Sequence, residues 1–171
     1  MTFLRILLAL GAAYVGQLLG TRLTPWFPAL VDLFLVVVVW YALHTRSAVA
    51  QLIGAAAGLL HDGLTGGLFG LHAFANTVVA YGVAAAAQRV EVQQQAVRVL
   101  LFAAASALQQ GLVLLLLLLL TDAPDAPGWG WALGRVAITA MLGAVLVGIE
   151  SRLRSRWSRW QHARSSRLRF R

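Results

Sequence analysis

Residues 54–74 read GAAAGLLHDGLTGGLFGLHAF. Apolar sequence flanks this stretch on both sides. It nevertheless holds an aspartate, two histidines and six glycines where a membrane helix would carry leucine. A carboxylate at mid-membrane costs ~2.5–3.5 kcal/mol on insertion scales, and less near an interface. Glycine accepts positive φ, so the chain can turn sharply here. Asp62 is placed to accept hydrogen bonds from free amides in that turn or at the start of the next helix. The structural reading is a capped helix–turn–helix. The functional alternative is a polar element facing a cavity or a partner.

The rest of the chain sets the context of that corner. Of 171 residues 60% are hydrophobic, mean hydropathy is +0.76, and only 12% are charged. Soluble domains run near half apolar, so the composition predicts a bilayer protein. There is no cysteine, which excludes disulfides, thiolate metal sites and thiol catalysis.

Six apolar segments are expected, over residues 4–20, 29–44, 48–60, 68–88, 96–120 and 131–150. About 20 residues cross ~30 Å of hydrocarbon. The third segment is short on that rule; it either continues through His61 and Asp62 or stops at the glycines. In the fifth, LVLLLLLLL at residues 112–120 is expected to face lipid. Pro25 and Pro28 suit a turn rather than a helix interior. TDAPDAPGWG, residues 121–130, reads as an aqueous loop ending in an interfacial aromatic belt. The expected organisation is one transmembrane domain, 1–150, and a basic tail, 151–171.

All 14 basic residues are arginine. With six crossings and both termini in the cytoplasm, 12 arginines lie inside and only Arg22 and Arg135 outside. The positive-inside rule favours that orientation. No small-x-small cleavage site follows the first apolar stretch, so the first helix is expected to stay uncleaved. The tail carries eight arginines and no acid. On a helix Leu153, Trp157 and Trp160 share one face, and Arg152, Arg156 and Arg159 another. This predicts a helix lying in the interface and binding membrane lipids. No recognition fold accompanies the charge, so nucleic acid is not an expected partner.

Several small and polar residues are structural or partner-binding candidates. Gly54 and Gly58, Gly66 and Gly70, and Gly16 and Gly20 each form GxxxG, a spacing that lets helices approach closely. Asp32 lies a few residues inside the second segment. It is expected either to reach water at the interface or to pair with Arg22 or Arg135. His72 and Asn76, one turn apart, are expected to make interhelical hydrogen bonds. GxSxG, HExxH and phosphate-loop motifs are all absent. His44, His61, His72 and His162 lack metal-ligand spacing, so no catalytic, cofactor or metal site is expected.

Two stretches carry a resemblance. Residues 28–43, PALVDLFLVVVVWYAL, hold Pro28 and Asp32. Residues 54–74 place Gly58, Leu59, Asp62, Gly66, Gly70 and Leu71 on a glycine–aspartate pattern. In these the chain resembles the rod shape-determining protein MreD family of bacterial inner membranes. The resemblance implies an all-α membrane protein of six transmembrane helices, similar to the substrate-binding (S) component fold of ECF transporters. It implies a non-enzymatic role in the elongasome: binding MreC, alongside RodA, a class B penicillin-binding protein and MreB, in side-wall peptidoglycan synthesis and rod-shape maintenance. It also implies the alternative of an S-component-like subunit that binds a small molecule.

Overall fold

The structure is a computed structural model that describes residues 2–66, 68–89, 94–121 and 129–167, with side chains left aside for Thr2, Ala29, Trp129, Trp131, Ser151 and residues 153–167. Every regular element among these residues is helical: α1 (Thr2–Leu23), α2 (Phe27–Leu30), α3 (Leu33–Ala42), α4 (Ser47–Thr65), α5 (Leu71–Arg89), α6 (Gln95–Leu120) and α7 (Trp129–Arg167). Among the described residues, three stretches are long and apolar enough to cross a membrane: Phe3–Leu23, Gln95–Leu120 and Ala132–Glu150. α4 has 19 residues, or ~28 Å of helix, but spends part of its face on glycine, histidine and aspartate.

The second expected segment is not one helix. α2 is a single turn with Pro28 in its first positions, where a missing N–H costs nothing. The chain then extends at Val31 and Asp32 before α3 begins. The break has a local cause. Asp32 sits at the N-cap of α3, and its Oδ1 accepts from the Leu35 amide at 2.9 Å. Asp32 therefore precedes its helix rather than riding inside it.

An extended stretch within an apolar bundle frees backbone groups that need partners. Gln17 of α1 supplies them. Its Nε2 donates to the Val31 carbonyl at 3.0 Å, and its Oε1 accepts from the Leu33 amide at 3.3 Å.

α3 is the axis of the fold, packed against α1, α4, α5, α6 and α7. A helix that is apolar all round belongs in a core, and Phe34, Leu35, Val38, Val39 and Ala42 are buried on every side. Ala57, Val79, Ala80 and Ala84 close on it from α4 and α5, and Phe102 and Val147 from α6 and α7. The Phe102 ring fills the space beside Gly143, where a Cβ would overlap it. The lipid-facing expectation for the leucine run fits its end: Leu115, Leu118, Leu119 and Leu120 are 52–72% exposed. Leu112 instead packs against the core.

α7 runs unbroken for 39 residues, or ~58 Å at 1.5 Å per residue. Its backbone thus carries helix from the last apolar segment into the arginine tail. The faces proposed for Arg156, Trp157, Arg159 and Trp160 lie outside the described side chains. The aqueous loop expected at residues 122–128 also lies outside the described residues.

Candidate functional site

The corner between α4 and α5 is built by two glycines and one carboxylate. Gly66 ends α4 in the left-handed region at φ 65°, and Gly70 precedes α5 at φ 97°. Side chains are strained in either conformation. The Gly66–Gly70 pair is therefore not a helix-packing face, contrary to its GxxxG reading: both residues lie in the connection, where their backbone freedom is used.

Asp62, in the last turn of α4, reaches across this corner. Its Oδ2 accepts from the Gly70 amide at 2.9 Å and the Ala73 amide at 3.3 Å. Its Oδ1 accepts from the His72 amide at 3.1 Å and from His72 Nδ1 at 2.8 Å. One buried carboxylate thus satisfies three amides at the start of α5, where unpaired N–H groups and the helix dipole favour negative charge.

Below the corner the two helices touch through glycine. A Cβ on Gly54 would come within 2.5 Å of the Asn76 carbonyl oxygen, and one on Gly58 would overlap the backbone of Ala73. This GxxxG pair serves packing within the chain. Gly16 and Gly20 on α1 act similarly: a Cβ on Gly16 would lie 2.8 Å from the Leu33 side chain, and one on Gly20 would overlap the Phe27 ring.

The corner leads into a second, deeper cluster around Asp32. The expectation of an interfacial acid reaching water does not hold, because Asp32 is 0% exposed. The pairing alternative does, with Arg135. Asp32 Oδ2 accepts from Arg135 NH2 at 2.8 Å and from Gln109 Nε2 at 2.7 Å. Gln109 Nε2 also donates to Asn76 Oδ1 at 2.9 Å. His61 Nδ1 lies 3.5 Å from Asp32 Oδ2, too long for a full hydrogen bond. The His61 ring stacks on Phe34 at 5.4 Å and meets the His72 ring at 4.1 Å. Residues from α4 through α7 thus converge on the N-cap of α3.

These contacts fix the direction of the chain. The start of α3, the end of α4, the start of α5, the middle of α6 and the start of α7 meet toward one end of the bundle. At the other end Arg98 NH1 meets Glu150 Oε2 at 2.7 Å, with His44 Nε2 3.6 Å from Glu150 Oε1. Successive helices from α3 therefore alternate in direction.

Chemically the arrangement binds and positions. Carboxylate oxygens are occupied by donors, and no group of three potential ligands among the described residues is placed to hold a metal ion. Of the candidates named from sequence, Asp62, His72, Gly66 and Gly70 meet at the corner, Gly54 and Gly58 lie beneath it, and Asp32 anchors the deeper cluster. Pro28 stands apart, on α2. The sequence reading missed Gln17, Gln109 and Thr139, all buried. Their signal was present: an amide or hydroxyl inside an apolar run must find a partner within the protein.

No curated protein and no solved structure matches the chain. The family model described as rod shape-determining protein MreD matches residues 1–124, which span α1 to α6, the corner and Asp32. With nearly three quarters of its length matched, the chain belongs to the MreD family and to the business of rod-shape determination.

Proposed function

We propose that this chain is a non-enzymatic scaffold of the elongasome in the bacterial inner membrane. In this reading it crosses the bilayer six times with both termini cytoplasmic, and α2 with α3 makes the second crossing. It binds MreC and sits in one assembly with RodA, a class B penicillin-binding protein and MreB. There it supports lateral peptidoglycan synthesis. The observation that carries the reading is the family match over residues 1–124. The alternating helix directions and the arginine distribution are consistent with six crossings.

The corner is the part we assign to partner recognition. It is rigid, since Asp62 ties both helices, and it presents Phe69, 76% exposed, at its tip. Recovery of MreC with the full-length protein from native membranes tests this. Gly66→Leu and Gly70→Leu should lose most of the MreC, while Leu116→Ala should retain it. Equal recovery by all three, at equal expression, would remove the corner from the interface.

A second reading, the S-component-like carrier, is favoured by the buried polar cluster, since ligand sites gather convergent polar groups. It predicts that the purified protein carries a stoichiometric small molecule and an energising module.

A further inference from the structure

The cluster around Asp32 is unevenly satisfied. Five buried side-chain atoms have no hydrogen-bond partner among the described residues: His61 Nδ1, Asn76 Nδ2, Gln109 Oε1 and Arg135 Nε in the cluster, and Thr139 Oγ1 one turn along α7 from Arg135. Four of these residues are at most 2% exposed, and the side chain of Arg135 is 16% exposed. A buried polar atom left unpaired costs about 1–3 kcal/mol. Each such group in a native structure calls for a physical explanation.

Exchanging amide ends does not remove them. Turning Gln109 over would set its oxygen against the Asp32 carboxylate. Turning Asn76 over would set its amide nitrogen against the Gln109 amide nitrogen. Both orientations are fixed by Asp32, so Asn76 Nδ2 and Gln109 Oε1 remain unpaired in the arrangement that satisfies the charge.

The orphaned atoms also specify their guest. Asn76 Nδ2 and Arg135 Nε only donate, Gln109 Oε1 only accepts, and the Thr139 hydroxyl does both. The guest must therefore accept and donate. Asp32 and Arg135 offset one another at 2.8 Å, which leaves little to draw in either an anion or a cation. Arg135 and Thr139 are one turn apart on α7 and so share a face of that helix.

We propose that this cluster is a binding site for ordered water, held between α3–α5 and the α6–α7 pair and opening to the aqueous phase past Arg135. Water is the smallest neutral molecule that donates and accepts, and buried waters characteristically make about three bonds to groups of this kind. The proposal is independent of the scaffold reading. It adds exchangeable molecules to a seam that direct hydrogen bonds and the apolar packing of Phe102 and Val147 otherwise hold together.

The test is water-edited solid-state NMR on the labelled full-length protein in lipid bilayers. Polarisation from water should reach Arg135 Nε and the side-chain amides of Asn76 and Gln109 as fast as it reaches the exposed Arg22. The backbone amides of Val38 and Val39 give the dry reference. Build-up as slow as at those valines would overturn the proposal. Thr139→Val gives a second reading without disturbing shape. A water-bound hydroxyl predicts a lower Tm for the variant, whereas a dry orphaned hydroxyl predicts a higher one. Recovery of a stoichiometric organic molecule from the purified protein would also overturn the water assignment, in favour of the carrier reading.

Discussion

Each end of the bundle carries an arginine–carboxylate pair, and the two pairs differ in depth. Arg135 meets Asp32 at 2.8 Å beneath a carboxylate with 0% exposure; Arg98 meets Glu150 at 2.7 Å with both side chains 14–18% exposed. The distances are nearly equal, so the chemistry of the contact does not separate them. Surroundings do. Asp32 is fully buried and met directly by Gln109, Arg135, His61 and the Leu35 amide, drawn from α3, α4, α6 and α7. Glu150 keeps 14% of its side chain exposed and is met by Arg98 and, at 3.6 Å, by His44. The first pair fixes how helices meet; the second helps mark where α7 leaves the bundle.

This contrast fails most visibly if Arg135→Ala is mild. Removing one partner of a buried pair leaves an uncompensated charge and costs about 3–5 kcal/mol. Reversible unfolding in mixed micelles should show a loss of that size. Gly58→Leu comes next. It forces a side chain into the backbone of Ala73, and overpacking of this kind costs about 1–3 kcal/mol; thermal unfolding should show it, with Gly63→Leu, which has open space around it, as the neutral control. Asp62→Ala removes a cap and should cost about 1–2 kcal/mol. Its sharper signature is local: the amides of Gly70, His72 and Ala73 should exchange faster with deuterium while those of α3 do not change. The smallest effect is expected for Arg98→Ala, because Glu150 keeps 14% exposure where Asp32 has none and its charge is less costly to leave behind. A loss equal to that of Arg135→Ala would erase the distinction between the ends.

The corner was readable from sequence because its chemistry is local. Asp62 lies 8 residues from Gly70 and 11 from Ala73. Glycine and aspartate announce such a turn by residue type alone. The Asp32 cluster was only half readable. Charge alone points from Asp32 to Arg135 or Arg22, whereas nothing in the sequence marks Gln109 as its partner, 77 residues away and central to the network. Pairing across such distances is set by helix packing, and periodicity does not encode it. The break before α3 was hidden by the valine run at residues 36–39, which reads as continuous helix. Its clue was Pro28 followed by an aspartate directly before the apolar run, the pattern of a helix start. Among the glycine pairs, spacing alone did not distinguish a packing face at Gly54 and Gly58 from a turn at Gly66 and Gly70. Only backbone angle does.

The most direct test is a double-mutant cycle between Asp32 and Arg135, with unfolding measured for Asp32→Ala, Arg135→Ala and the pair together. If the buried contact organises the bundle, the losses are strongly non-additive, with a coupling energy above about 1 kcal/mol, inside the ~0.5–3 kcal/mol range of directly interacting residues. Losses that sum to within about 0.3–0.5 kcal/mol, the behaviour of independent sites, would contradict the role assigned to Asp32.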